Sequence, residues 1–308
     1  MKKMRYITIL AITSLLATGC SNSLKAPTFA NEGEEFNFVQ FKERYLQAKK
    51  DSELSDYDYF LTDRVFKASY SSSDVHTLKR DKTEIYKSET QSVATGESQY
   101  DTDSLAAKMV AENKSSQKVT SQESNLTASS TENAEQYYQI SQLSRSKYLV
   151  FANAKTKVYR LIDPVSYQNT AEDLFDNQIR DDITSSFYNF EDRMPYTGAE
   201  AKDYLFYVSN ETLFTYTINK EQEQNLGSYK LYTKIKCKAQ LDLTDKKQSL
   251  RLSYEFKEEF TYTKSENGYR PGDVVTHESK LYIDHTFYAK EARVNPVDLG
   301  DYTQEYTN

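Results

Sequence analysis

The sequence is poor in the residues that usually build active sites and covalent cross-links. Its 308 residues include no Trp, two Cys, three His, five Pro and eight Gly. Two Cys allow at most one disulfide, so stability must come from packing. Three His supply few groups that exchange protons near neutral pH, and eight scattered Gly cannot build a phosphate-binding loop. These shortages argue against an enzyme.

The sequence also lacks the common catalytic and metal-binding motifs. It contains no GxSxG, GxGxxG, P-loop, HExxH or CxxC pattern. His277 and His285 share a strand face, but eight residues at about 3.3 Å each put them roughly 26 Å apart. The paired carboxylates at 56–58 and 101–103 lack the Gly and the distal Glu of an EF-hand loop. We therefore predict no enzymatic activity, no cofactor and no metal site.

The residues that are present describe a folded, Tyr-rich chain. There are 26 Tyr and 15 Phe, too many aromatic side chains for a disordered chain, and the mean hydropathy of -0.78 is too low for a multispan membrane protein. The formal net charge is -7, and no dense block of Lys and Arg interrupts it. Because such a field repels phosphate, we do not expect nucleic acid as a partner.

The amino terminus has the pattern of a bacterial lipoprotein signal peptide. Three basic residues precede an apolar stretch at 7–16 that is too short to span a bilayer, and small residues precede Cys20. We predict a signal peptide over 1–19, lipid attachment at Cys20 and a flexible tether over 20–35. The predicted location is the bacterial cell membrane, with the chain lipid-anchored outside the cytoplasm. An ordinary secretory signal with a chance Cys is the alternative.

After the tether, the spacing of the hydrophobic residues is first that of a helix and later the two-residue alternation of a strand. The spacing predicts a helix over 37–50, and strict alternation predicts a long strand over 229–243. Further long strands are predicted near 250–262 and 274–290, and three short ones within 136–163.

Two segments are harder to assign. Residues 82–112 have the propensity of a helix in one part, but their form resembles a strand, a turn and a returning strand, and we favour strands. Residues 113–135 are rich in Ser, Thr, Asn and Gln and predict a flexible loop inside a hairpin.

The strongest helix signal lies over 170–195. Thr170 and Asp173 predict a capping box, and Pro195 ends the segment. A stripe of apolar residues predicts the face that packs on the sheet: Phe175, Ile179, Ile183, Phe187 and Phe190.

This organisation resembles the LolA/LolB and LppX/LprG type of lipoprotein carrier. The resemblance covers residues 36–290 and is carried by the turn segments YDTDSLAAK, LVFANAKTKVYRLI and LDLTDKKQSLRL. That family is an open, strongly curved half-barrel whose helix-covered concave side holds acyl chains. The resemblance implies an α+β, mainly β fold, with a curved antiparallel sheet and a few helices over its apolar face. It also implies a single domain over 36–308.

We expect the protein to bind a lipid or another hydrophobic ligand in a cavity between sheet and helices. The alternative is a non-enzymatic surface module in which Tyr232, Tyr282 and Tyr288 contact a protein or a glycan. Beyond the membrane and such a ligand, the sequence names no protein partner. The candidate cavity residues are Leu231, Ile235, Cys237, Leu241, Leu252, Phe256, Phe260, Phe175, Ile179, Ile183 and Phe187.

We predict that neither a metal nor a disulfide supports the fold. Cys237 has no second Cys in the folded region, and the two His of the last strand are too far apart to chelate. A chelator or a reductant should therefore leave the melting temperature unchanged in a thermal denaturation experiment. A drop of more than a few degrees with either reagent would contradict this.

Overall fold

The structure is a computed structural model that describes residues 24–52, 63–143, 145–244 and 247–305, with residues 179, 182 and 183 described in their backbone only. Within these ranges thirteen strands form one sheet and two α-helices pack on it. Three 3₁₀ turns lie at Pro164–Tyr167, Glu200–Asp203 and Leu299–Asp301. The helices are α1 (Phe38–Ser52) and α2 (Ala171–Glu191). The strands are β1 (Glu34–Phe36), β2 (Arg64–Arg80), β3 (Thr83–Asp101), β4 (Ala106–Ser121), β5 (Asn125–Leu143), β6 (Ser146–Asn153), β7 (Val158–Ile162), β8 (Tyr204–Ser209), β9 (Leu213–Asn225), β10 (Tyr229–Thr244), β11 (Lys247–Tyr262), β12 (Val274–Ala289) and β13 (Thr303–Gln304).

The sheet consists of two antiparallel meanders joined side by side. Its order is β1-β8-β9-β10-β11-β12-β2-β3-β4-β5-β6-β7-β13. The meanders β2 to β7 and β8 to β12 meet where β2 pairs with β12, from Arg64 opposite Ala289 to Lys79 opposite Val274. Only β13 pairs in parallel, with β7. Among the described residues β1 and β13 are the outer strands and do not pair with each other, so the sheet is open.

The prediction of a mainly β, α+β fold with an antiparallel sheet is confirmed. The helices α1 and α2 pack on the apolar face of the sheet at one end of the strands. We call the sheet face that packs on the helices the inner face and the opposite one the outer face. We call the uncovered end the distal half; its strands meet at the turns after Arg80, Ser121, Asn225 and Tyr262.

The main core lies between the inner face and both helices. Phe41 of α1 packs on Phe206, with ring centroids 4.9 Å apart, and Tyr45 packs on Phe190 of α2 at 5.4 Å. The buried Tyr216 hydroxyl donates to the Phe190 carbonyl at 2.7 Å, which satisfies its only polar group. Buried aliphatic residues of β10 to β12 complete this core: Cys237, Ala239, Leu241, Leu243, Leu250, Leu252 and Ile283.

A second core lies under the first half of α2. Phe175 packs there against residues of β3 to β6 and β12: Tyr100, Ala107, Tyr138, Leu149 and Phe287. The helix begins as predicted, because the Thr170 side chain accepts from the Asp173 N–H while the Asp173 side chain accepts from the Thr170 N–H. The two cores together anchor one helix across both meanders.

Among the residues that the structure describes, no helix or second sheet covers either face of the distal half. Every residue from 253 to 262 and from 274 to 279 is half-buried, on the inner and outer faces alike. Neighbouring side chains therefore cover one another within the sheet, and no second layer covers them. At the tip, Arg80 makes a two-pronged ion pair with the buried Asp273 at 2.9 and 2.7 Å. This hydrogen bonding from Arg80 lowers the pKa of Asp273 to about 2.

Residues 113–135 are strands and not the predicted loop. They form the end of β4 and the start of β5, paired from Asn113 opposite Glu132 to Thr120 opposite Asn125. The prediction is wrong because both faces of the sheet contact solvent here. A strand with solvent on both faces needs no alternation of apolar and polar residues, so it can have the polar composition that is typical of a loop. Strands, which we favoured over a helix for 82–112, are confirmed.

The end of the predicted tether belongs to the folded body. Ala30 forms two hydrogen bonds with the buried Gln240 side chain, at 2.8 and 3.2 Å, and β1 pairs with β8. Gly33 has φ +87°, and a Cβ on it would lie 2.5 Å from the Val208 carbonyl oxygen. A flexible tether over the whole of 20–35 is therefore wrong. Among the described residues, no helix has the length and apolar character needed to cross a membrane.

We predict that Leu241→Ala lowers the free energy of unfolding by about 2–5 kcal/mol. Leu241 is 1% exposed in the main core, so truncation leaves a cavity that its packed neighbours cannot fill. Urea denaturation followed by circular dichroism measures the change. The control Leu46→Ala removes the same atoms from an exposed position of α1 and should change the free energy by about 0.5 kcal/mol or less. Equal losses in the two variants would contradict the assignment of the core.

Candidate functional site

A charged groove lies on the outer face, beside the segment that follows β12. We call residues 290–305 the strap, because they run from the end of β12 to the pairing of β13 with β7. The groove has a volume of about 520 Å³. It is lined by Glu97 and Gln99 of β3, Lys108 and Val110 of β4, Tyr137 of β5, and Arg293, Val294 and Asn295 of the strap.

Strand register places the sheet residues of the groove next to one another. Gln99 lies opposite Lys108, which lies opposite Tyr137, so the three form one row across β3, β4 and β5. Glu97 lies two residues from Gln99 and hence on the same face. These rows come from segments without clear alternation, which is why the sequence did not identify them.

Three polar side chains hold the strap against the sheet: the buried Asp101 and Gln139, and the half-buried Asp63. Asp63 accepts from the Ala292 N–H at 2.9 Å, and Asp101 accepts from the Val294 N–H at 3.0 Å. Gln139 accepts from the Val297 N–H at 2.7 Å and donates to the Val297 carbonyl at 3.0 Å. Along residues 292–297, side chains thus supply the hydrogen bonds that a neighbouring strand would otherwise supply.

Hydrogen bonds keep both strap-binding carboxylates ionised. Burial alone would raise the pKa of Asp63, but N–H groups of Ala292 and Thr102 and the Thr102 hydroxyl outweigh it and lower the pKa. Burial likewise opposes ionisation of Asp101, and donors from Val294 and Ser104 lower its pKa. Both side chains therefore carry charge at neutral pH.

The groove wall carries charges of both signs. The Lys108 ammonium lies 2.7 Å from Glu135, whose carboxylate also accepts from the Tyr137 hydroxyl at 2.7 Å. Hydrogen bonding to Lys108 lowers the pKa of Glu135, and hydrogen bonding to Glu135 raises the pKa of Lys108. Burial raises the pKa of Tyr137. At neutral pH the wall thus presents an ammonium, a carboxylate and a neutral phenol.

Glu97 and Arg293 supply the two remaining charges. Glu97 accepts from Gln99 at 3.0 Å and pairs with Lys67 at 2.9 Å, and these hydrogen bonds lower its pKa. The Arg293 guanidinium lies 3.3 Å from Asp63, 3.4 Å from Asp103 and 3.3 Å from Glu291, yet its side chain remains 62% exposed. Arg293 therefore brings a solvent-exposed cation, paired with several carboxylates, to the edge of the groove.

The expected hydrophobic cavity is absent from the described part of the chain. The space between α2 and the sheet, lined by Phe66, Phe187, Leu241 and His285 among others, has about 10 Å³. That is too small for any ligand, and it barely reaches the volume of one water molecule. Burial in this space lowers the pKa of His285 to about 4, so its imidazole is neutral.

The candidate cavity residues divide into filled core and uncovered sheet. Cys237, Leu241, Leu252 and Phe187 are packed in the main core, Ile235 packs at its margin, and Phe175 lies in the second core. Leu231, Phe256 and Phe260 lie on the inner face of the distal half, where no described helix reaches. The side chains of Ile179 and Ile183, and the whole of Cys20, fall outside the described residues. Lipid attachment at Cys20 stays a prediction.

The three Tyr of the alternative function are already engaged. Tyr282 is buried, 8% exposed, and its hydroxyl donates to Glu255 at 2.9 Å. The Lys247 ammonium lies 5.6 Å from the ring centroid of Tyr288, and Tyr232 hydrogen-bonds Glu221. A surface module built on these side chains is therefore wrong.

One side-chain pair was missed because it depends on the register between distant strands. His76 lies directly opposite His277, and their rings stack 4.2 Å apart with an angle of 6°. His277 also lies 3.3 Å from Asp74. Within the described ranges, no group of three or more His, Cys, Asp or Glu side chains is arranged to hold a metal ion.

Comparison with known proteins gives only weak structural matches. The chain matches no protein family and no curated protein. It is similar to the translocator domain of autotransporter NalP from Neisseria meningitidis, at 7% identity and a TM-score of 0.17, over 81% of this chain and 95% of that one. It is also similar to a Pseudomonas aeruginosa FadL homologue, at 6% identity and a TM-score of 0.16, over 74% and 90% of the chains. TM-scores this low carry no argument about activity.

The resemblance to LolA/LolB and LppX/LprG carriers is wrong, and so is the lipoprotein function drawn from it. The matches are proteins of another kind, and aromatic side chains fill the space that a carrier would keep for its ligand.

We predict that Asp101→Asn reduces the stability of the protein at pH 7 and weakens its loss in acid. An unfolded Asp has a pKa of about 3.9, and the folded-state pKa of Asp101 is lower. Its ionised form therefore stabilises the fold above about pH 4, and this contribution is lost as the pH falls towards the lower folded-state pKa. Urea denaturation at a series of pH values from neutral to acid measures both effects.

The exposed Asp103 of the same turn provides the control. Asp103→Asn should leave the stability at pH 7 close to that of the wild type. If Asp101→Asn is as stable as Asp103→Asn at every pH, Asp101 does not hold the strap in the way described.

Proposed function

We propose that this chain is a non-enzymatic binding protein whose charged groove takes a small zwitterionic molecule of the amino-acid type. The observation that carries the proposal is that cations, a carboxylate and an aromatic ring line one groove of about 520 Å³. Small-molecule sites have volumes of about 300–1,000 Å³ and a few polar groups that fix the orientation of the ligand. Volume and lining both meet this description.

The mixture of charges favours a ligand that carries both signs. An anion without a positive group would approach Arg293 and Lys108 but would also meet Glu97. A cation without a negative group would be attracted by Glu97 but repelled by Arg293 and Lys108. A zwitterion can place its carboxylate against the exposed Arg293 guanidinium and its ammonium towards Glu97. Unfavourable contacts against singly charged molecules then supply specificity.

The apolar part of the lining favours an apolar or aromatic side chain on the ligand. Val110 is 47% exposed in the groove, and the Tyr137 ring and Val294 lie beside it. Contact with these groups would remove apolar surface from water, which adds affinity without requiring another charge.

Binding without chemistry agrees with the protonation states of the groove. A general base must be able to accept a proton near neutral pH. The pKa values of Lys108 and Tyr137 are both raised, so each keeps its proton, and hydrogen bonding lowers the pKa of Glu97. The groove lining contains no Ser, Cys or His that could serve as a nucleophile or a shuttle. Nucleic acid remains an unlikely ligand because the chain carries a net charge of -7.

We predict that L-phenylalanine binds more tightly than 3-phenylpropionate or phenethylamine. The three probes share one ring and differ only in carrying both charges, the carboxylate or the ammonium. Isothermal titration calorimetry with the full chain in detergent solution measures the three affinities. Equal affinities for the three probes, or binding of none, would contradict the proposal.

Variants of the groove locate the binding. Arg293→Gln and Glu97→Gln should each weaken phenylalanine binding by about tenfold or more, the effect of losing a charge-assisted hydrogen bond. The control Lys236→Gln removes a charge from the exposed outer face of β10 and should bind like the wild type. Wild-type affinity in both groove variants, with the fold intact by circular dichroism, would move the site elsewhere.

A further inference from the structure

The border of the sheet along β5 is free over half its length. β5 pairs with β4 from Asn125 to Gln139, but β6 pairs with it only from Gln136 onwards. The last hydrogen bond on that side runs from the Ala154 N–H to the Glu135 carbonyl at 2.9 Å. Among the described residues, no strand covers this side of residues 125–134.

The free side presents a regular row of peptide groups. In an antiparallel ladder the N–H and C=O of successive residues face opposite sides. Because Glu135 faces β6, the odd-numbered residues of the free stretch face outwards: Thr127, Ser129, Thr131 and Asn133. Such a row is a template for one more strand.

This border lacks the usual protection against strand addition. Asn125 to Thr131 contains no charged residue and no Pro, and its register with β4 has no bulge. The other free border of the distal half, residues 219–225 of β9, carries Lys220, Glu221 and Glu223. Self-pairing of β9 about Gln222 would set Glu221 against Glu223. The chain therefore protects one border and leaves the other open.

We propose that two copies of this chain pair through the free border of β5, antiparallel about a twofold axis at Ser130. The register follows from the length of the gap. Residues 125–134 are free between the contact of Glu135 with Ala154 at one end and the turn at 122–124 at the other. Pairing Leu126 of one copy with Ala134 of the other spans this gap in both copies. It also sets outward-facing odd residues against each other, as hydrogen bonding requires.

The side chains match in this register. Leu126 is 64% exposed, and it lies opposite Ala134 of the second copy. Ser130 lies opposite its own counterpart, and Ala128 lies opposite Glu132, so no like charges meet. On the outer face Thr127 lies opposite Asn133 and Ser129 opposite Thr131, pairs of hydrogen-bonding size. Each copy thus covers the exposed Leu of the other.

A charge swap at the axis tests the proposal. Ser130→Lys alone sets two ammonium groups against each other at the axis, and Ser130→Glu alone sets two carboxylates. Sedimentation equilibrium of the full chain in detergent solution should give two chains for the wild type and one for either variant. An equimolar mixture of the two variants should recover the two-chain species, because Lys then lies opposite Glu.

Three further variants keep the result unambiguous. Gln222→Lys adds the same charge to the β9 border and should remain two chains. Ser130→Cys should form a disulfide-linked dimer on a non-reducing gel, while Gln222→Cys should not. A wild type of one chain at every concentration would overturn the proposal, as would a Ser130→Lys variant that remains two chains while circular dichroism shows it folded. Neither outcome bears on the groove, whose test is ligand affinity.

Discussion

The structure depends on a mismatch of lengths between helices and strands. At 1.5 Å per residue, α1 and α2 are about 22 and 32 Å long, whereas β2 to β5 reach about 53–63 Å at 3.3 Å per residue. Two helices cannot cover such a sheet. One end therefore has an aromatic core of ordinary density, and the distal half depends on cross-strand contacts within a single layer. Its free borders and half-buried faces follow from the same mismatch.

The strap solves a separate problem at the covered end. A segment crossing the face of a sheet has no ladder to join, so its N–H groups need other acceptors. Asp63, Asp101 and Gln139 supply them, and ionised acceptors make stronger hydrogen bonds than neutral ones. The strap also lies beside β3 to β5, and its residues line one side of the charged groove. Stability and the candidate site thus share one set of contacts.

Sequence patterns predicted the elements that have one face on a core and the other in solvent, and those that begin with local hydrogen bonds. Residues 229–243 alternate because the inner face of β10 meets a core at one end, and Thr170 with Asp173 marks the start of α2 through local hydrogen bonds alone. Residues 113–135 were mistaken for a loop because a strand that is wet on both faces has no period to detect. Alternation also shows that one face of a strand is apolar, but it does not show whether the helices packed on that face leave a cavity. For that reason a solid core was predicted as a cavity.

The groove could not be predicted, because it is assembled from separate parts of the chain. Glu97, Lys108 and Tyr137 come from three strands, and Arg293 comes from the strap more than 150 residues later. No local spacing links them. The stacked pair His76 and His277 is hidden for the same reason, since only the register of β2 against β12 brings the two rings together.

That central ladder also constrains how the chain can assemble. Within each meander, neighbouring strands follow one another closely in the chain, so each can form by successive hairpins. The contact between β2 and β12 is of another kind, because Arg64 meets Ala289 only when nearly the whole chain exists. During synthesis β2 is therefore an uncovered outer strand of seventeen residues from its own emergence until that of its partner. A ladder at the middle of the finished sheet is therefore made late, after both meanders have their hairpins, and until then β2 has one side open to wrong partners.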